Sequence, residues 1–215
     1  MKWFRPEGPD DSRLQEVAEA LRSGKIVVLP TDTVYGLAAD AFNSDAVLKV
    51  FRAKGRPPEK PLALLVADGD QARQAVAHWP PEAESLAKAF WPGPLTLVLP
   101  KSESVPLVVT AGLPKVGVRE PGEAVTVALI RRVGSPLAAT SANRSGRPPP
   151  LRAEDAVAQL GTSPAFVVDC GPCPVGVVST VLDLTVSPPC ILRPGAVSAA
   201  EIEPHAGPVN VQQPT

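Results

Sequence analysis

The sequence predicts an α/β fold: a twisted, open, mixed sheet of parallel and antiparallel strands with helices on its faces. Three observations predict it. Short, largely apolar runs such as 26–29, 62–66 and 137–140 have the composition of buried strands. They alternate with amphipathic stretches, which is the pattern of a sheet covered by helices. Several strands are separated by too few residues for a crossover helix, so some neighbours must be antiparallel. At 215 residues the chain fits one large domain, expected to span 1–195, followed by a short tail over 196–215.

Taken in order, residues 10–23 read as a helix, with Leu14, Val17, Ala18 and Leu21 on one face, acidic and hydroxyl residues before it and Gly24 after it. The run 26–29 is a strand that ends in Pro30-Thr-Asp-Thr-Val-Tyr-Gly36, where small polar side chains follow a central strand. Residues 44–52 form the next helix and 62–66 the next strand. Helices are expected at 70–78 and 81–90, the second opened by Pro81. Trp91-Pro-Gly-Pro is a rigid turn into a strand at 95–99, with further short strands at 105–109 and 116–119. A helix at 124–133 stops at Gly134. A strand at 137–140 exits into Ser141-Ala-Asn-Arg-Ser-Gly146, and a helix follows at 153–160. Strands at 166–169, 181–184 and 191–193 complete the sheet. The tail, rich in Pro and Gly, is expected to be loosely held.

Bulk composition excludes several functions. The net charge of -1 gives no global pull toward nucleic acid or an anionic membrane. Aromatic residues make up 4%, too few for a base-stacking platform. No apolar run approaches the ~20 residues needed to cross a bilayer, and the N-terminus lacks the apolar core of a signal peptide. With three cysteines, this reads as a cytoplasmic protein. No P-loop and no G-x-G-x-x-G occurs, and two histidines in uninformative contexts argue against a Ser-His-Asp mechanism. Cys170-Gly-Pro-Cys173 has redox spacing, but no helix follows it and no further metal ligands lie nearby, so a tight turn is the better reading.

The local chemistry is cationic. Lys54, Arg56 and Lys60 fall within seven residues broken by Gly55, Pro57 and Pro58, which makes a stiff loop with charged heads and reads as an anion clamp. A solvated basic helix end is the alternative. Arg119 and Arg193 stand at strand ends beside Pro or Gly, and Thr31, Thr33, Ser141 and Ser179 supply hydroxyls. Such a set suits a triphosphate and a small carboxylate held side by side.

These segments, together with Val116-Gly-Val-Arg119, Ser179-Thr-Val-Leu-Asp183 and Arg193-Pro-Gly195, resemble the YrdC family of threonylcarbamoyl-AMP synthases in sequence and order over about residues 12–195. The resemblance implies synthesis of threonylcarbamoyl-AMP from L-threonine, bicarbonate and ATP with Mg2+, releasing pyrophosphate. The product would serve the N6-threonylcarbamoyl modification of tRNA adenosine through downstream transfer proteins, with weak tRNA contact. It implies ATP contacts at Arg56, Lys60, Ser141, Asn143 and Arg193, threonine contacts at Thr33, Arg119 and Ser179, and Lys54 with Arg56 as the catalytic pair, Lys54 nearest the reacting carbonate. No resident metal ligands are expected. The chain resembles the single-domain form. It departs at Asp32, where Glu is more usual, at Val178, where an acid is usual before Ser179, and at Lys115, where threonine is common near ATP. The rival reading is an RNA-binding or ribosome-assembly module using a patch of Lys49, Arg52, Lys54 and Arg56.

Overall fold

The structure, a computed structural model, describes residues 1–213. The first half comprises β1 (Lys2–Phe4), α1 (Leu14–Arg22), β2 (Val27–Leu29), β3 (Gly36–Asp40), α2 (Ser44–Lys54), β4 (Ala63–Leu65), α3 (Gly69–Ala75), α4 (Pro81–Phe90) and β5 (Leu95–Pro100). The second comprises α5 (Leu107–Thr110), β6 (Lys115–Arg119), α6 (Ala124–Val133), β7 (Leu137–Ser141), α7 (Ala153–Leu160), β8 (Phe166–Val168), β9 (Thr180–Asp183), β10 (Cys190–Arg193), α8 (Ala199–Ala206) and β11 (Asn210–Val211). All strands join one sheet in the order β1-β8-β2-β3-β7-β4-β6-β5-β9-β10-β11. Its pairings are mixed: β4 runs parallel to β6 and antiparallel to β7. Among the described residues, no helix is long and apolar enough to cross a membrane.

The two faces of the sheet are covered unequally, and this creates the site. One face carries the larger core, where Leu64, Leu97, Val118 and Leu182 pack under α2, α3, α4, α5, α7 and α8. On the other, α1 and α6 cover Val27, Leu29, Ala38 and Leu137. Burying each such Val or Leu contributes about 1.5–3 kcal/mol. Beyond Leu65 that second face has no helix over β4, β6, β5 and β9 among the described residues. Because side chains alternate along a strand, Lys115, Gly117 and Arg119 of β6 and Thr96 and Val98 of β5 all point into this uncovered hollow.

Two expectations need correction, and one central strand was not read from the sequence. Residues 105–109 were expected as a strand, but 107–110 form a short helix started by Pro106, whose fixed φ and missing N–H suit the position before a helix. Gly36–Asp40 is a strand that composition conceals, since small residues in Gly-Leu-Ala-Ala-Asp carry little β signal. The tail is not loose over 196–213. Ser198 and Glu201 form a reciprocal capping box that starts α8, Ile202 is fully buried, and β11 pairs with β10. Residues 214 and 215 of the expected tail lie outside the described residues.

Candidate functional site

The hollow measures about 1080 Å3 with its open mouth. Its floor is apolar, built from Leu62, Ala63, Val98, Gly117, Ala139 and Val181. Arg56, Arg119 and Arg193 reach it from three distant loops or strand ends, with Thr33, Ser141 and Ser179 between them. No Asp, Glu or His lines it among the described residues.

Arg119, only 6% exposed, ends β6 and is held on three sides. Its Nε donates to Gly93 O at 2.9 Å, Nη1 to Thr33 Oγ1 at 3.0 Å and Nη2 to Asp32 Oδ1 at 2.6 Å. The Trp91–Pro94 turn therefore serves to deliver one carbonyl. A Cβ on Gly93 would lie 2.4 Å from Phe90 O, so no other residue fits that turn. Arg193 donates through Nε and Nη2 to Ser179 O, at 3.2 and 2.7 Å, and through Nη2 to Ser179 Oγ at 2.9 Å. The Arg193-Pro-Gly195 turn lies against the backbone of Val178–Thr180, where a Cβ on Gly195 would come within 2.4–2.5 Å of main-chain atoms.

Arg56 stiffens its own loop: Nε and Nη2 donate to Lys60 O and Pro61 O, at 2.9 and 2.7 Å, and Nη1 reaches Thr140 Oγ1 at 3.3 Å. Burial lowers the pKa of all three guanidiniums, and at Arg193 the charges of Arg119 and Arg56 lower it further. At Arg193 that repulsion marks cations facing one space, of which, among the described residues, only Arg119 has a carboxylate partner, Asp32.

Three expected contacts are not on the wall. Lys54 is buried at the end of α2, where Gly55 adopts the left-handed cap, and its ammonium donates to Ser141 O, to Asn143 O at 2.6 Å and to Asn143 Oδ1 at 3.2 Å. Burial, with the like charge of Arg56, pushes its pKa down to about 7. With three N–H groups and three acceptors, it has no donor left for a ligand. Asn143 is turned inward as well, its amide donating to Arg144 O and Arg147 O at 2.9 and 2.6 Å. Lys60 is exposed and outside the wall. These residues build the loop that presents Ser141. The basic patch proposed for RNA is broken up too, since Lys54 and Arg56 point inward and Lys49 donates to Gly24 O at 2.7 Å.

Thr96, which was not among the expected contacts, and Lys115, expected near ATP, also line the wall. Thr96 shares a 2.9 Å hydrogen bond with Ser179 Oγ. Lys115 forms a 2.6 Å ion pair with Asp183. Burial pushes the Asp183 carboxyl up, but Lys115 and the two Thr185 donors outweigh it and hold it below the usual range. Alternation within β6 puts Lys115 on the wall, four residues before Arg119 on the same face. Cys170 and Cys173 flank a turn in which Gly171 has positive φ. Burial, with Glu123 and Asp169 nearby, pushes the Cys170 thiol up to about 12. No cluster of metal-binding side chains occurs among the described residues.

A family model described as "telomere recombination", Sua5/YciO/YrdC, matches residues 19–195. A threonylcarbamoyl-AMP synthase of Pyrococcus abyssi is 45% identical over 202 residues, 94% of this chain and 59% of that protein. One of Bacillus subtilis is 44% identical over 205 residues, 95% of this chain and 59% of that protein. The crystal structure of P. abyssi Sua5 complexed with L-threonine matches with a TM-score of 0.93 at 43% identity, over 98% of this chain and 62% of that chain. The chain thus spans about three-fifths of the length of these relatives.

Proposed function

The chain belongs to the Sua5/YciO/YrdC family, and from that premise we propose that it makes L-threonylcarbamoyl-AMP from L-threonine, bicarbonate or CO2, and ATP. The observation that carries this reading is a hollow into which three guanidiniums converge and which no carboxylate lines. Such a wall is rich in donors and poor in acceptors, so it suits a ligand set dominated by anionic oxygens: a triphosphate, an amino-acid carboxylate and a carbamate.

In this reading Arg119 and Thr33 hold the threonine carboxylate, and Arg56, Ser141 and Arg193 hold the nucleotide phosphates, with Ser179 between the two ends. The free threonine amine adds to CO2, and the nitrogen gives its proton to solvent water, leaving the carbamate anion. A carbamate oxygen then attacks the α-phosphorus, forming a P–O bond as the bond to pyrophosphate breaks. Charge accumulates in both steps, and fixed guanidiniums lower its cost without reorganisation. No wall residue is an evident general base, so the amine enters unprotonated.

Mg2+ is commonly held by one or two carboxylates together with phosphates. The wall offers no carboxylate, so its residues do not fit a metal held by the protein, and ATP enters as its Mg2+ complex. Lys54 acts through the Ser141 loop. A cytoplasmic setting and delivery of the product to a tRNA-modifying transferase follow from the same reading.

The test is to incubate the protein with Mg-ATP, L-threonine and bicarbonate, follow pyrophosphate, and seek the mixed anhydride by mass spectrometry. Threonine-dependent pyrophosphate release with the adduct is expected. Pyrophosphate release indifferent to the amino acid would sink the reading.

A further inference from the structure

We propose that Asp32 is a positioning residue for the amino-acid end of the hollow, clamping Arg119 so that its leftover N–H groups meet the substrate carboxylate as a fork. The inference rests on the reading above and extends it to a residue outside the wall. A guanidinium has five N–H donors. In Arg119 three are engaged, by Gly93 O, Thr33 Oγ1 and Asp32 Oδ1, which leaves one on each terminal nitrogen. Two parallel N–H groups are what a carboxylate accepts in bidentate fashion.

Asp32 is built as a clamp. Its Oδ1 takes both Arg119 Nη2 at 2.6 Å and Gly122 N at 2.8 Å, so one oxygen ties β6 to the start of α6. The approach at Gly122 is close: a Cβ there would lie 3.2 Å from Asp32 Cβ and Cγ, so the carboxylate would have to give by a few tenths of an ångström. The main-chain oxygen of Asp32 accepts from Val175 N at 2.9 Å, which links the clamp to the loop that brings Val178 and Ser179 to the wall. The second carboxylate oxygen is buried and has no hydrogen-bond partner among the described residues. That orphan is informative, since a buried charge keeps an unpaired oxygen only where its other contacts outweigh the cost. The pair also allows Arg119 to stay buried and oriented before substrate arrives.

The orphaned oxygen makes the test clean. Asp32→Asn retains an oxygen for Arg119 and Gly122 and changes only the unpartnered atom and the charge, Asp32→Ala removes the clamp, and Asp32→Glu returns the charge. Calorimetric Kd for L-threonine and for ATP, and KM for each from pyrophosphate release, are measured on all three and on wild type. Asp32→Ala is expected to weaken threonine about 30-fold or more, the loss typical of truncating one partner of a buried charge pair, while ATP shifts less than about threefold on the same scale. Asp32→Asn should fall between Ala and wild type, and Asp32→Glu should recover part of the loss.

Equal weakening of threonine and ATP, or unchanged threonine affinity in both Asn and Ala variants, overturns the inference. If Asp32→Ala does not fold, the threonine-selective loss must appear in Asp32→Asn alone. Wild type that binds threonine but releases no pyrophosphate refutes the proposed reaction, and the Kd values still judge the clamp. Wild type that binds no threonine refutes both.

Discussion

Lys54 and Arg119 are both buried cations at element ends beside the hollow, yet they do opposite things. Lys54 spends its ammonium on Ser141 O, Asn143 O and Asn143 Oδ1. Arg119 spends three of its donors and keeps two, on a surface that lines the hollow. The first corner is saturated by the protein and is scaffold. The second is held in place but left incomplete, which is the condition of a group waiting for an anion. Burial alone does not separate the two roles; the count of spent donors does.

The comparison can be broken by substitution, and the largest effect is expected at Arg119. Arg119→Ala should lower threonine-dependent kcat/KM about a hundredfold or more. It should also depress the melting temperature, because Asp32 is left as an unpaired buried charge. Steady-state kinetics and a thermal melt on one preparation would check both.

Lys54→Met comes next and should act in the reverse order. The carbonyls it abandons cost about 1–3 kcal/mol each if left unpaired, so stability falls first and activity follows through a looser Ser141 loop. The resemblance instead implies Lys54 nearest the reacting carbonate, in which case activity would fall before stability. Denaturant melts against pH sharpen the point. Folding lowers the Lys54 pKa from 10.5 to about 7, so between these values the unfolded chain binds the extra proton. Wild-type stability should therefore rise with pH relative to Lys54→Met across that window, by at most about 1.4 kcal/mol per pH unit. The stabilising contribution is complete above the unfolded value and lost as pH falls through about 7. A flat difference between the two proteins would show that Lys54 does not titrate there.

Lys60→Ala should raise the KM for ATP less than about threefold, since an exposed charge outside the wall is screened. A larger rise would return Lys60 to the site. The smallest effect is expected at the Cys170 turn. With the thiol pushed up to about 12, alkylation at neutral pH should be slow and Cys170→Ser should leave turnover unchanged, as mass spectrometry and rate measurements would report.

Much was legible from the residues alone. Apolar runs and helical spacing located most strands and helices, because a strand buried on both faces must be apolar along its length and an amphipathic helix must repeat its apolar positions. The turns at 91–94 and 193–195 and the basic loop at 54–60 announced themselves through Pro and Gly, whose backbone limits are local. The mixed sheet and the gathering of Arg56, Arg119 and Arg193 around one hollow also came from the chain's own pattern. What local pattern could not supply was the direction of each charged head.

Lys54 meets acceptors 87 and 89 residues away, Arg119 meets Asp32 across 87, and Lys115 meets Asp183 across 68. Propensity and spacing describe a residue's neighbours in the chain. Hydrogen bonds at such separations exist only once the sheet has paired β4 with β7 and β6 with β5. The sequence by itself marked Arg56, Arg119 and Arg193 as cations that gather at one hollow. Only the tertiary structure decided which of them were consumed in building it and which were left to face a ligand, because a buried donor's role depends on whether the fold has already satisfied it.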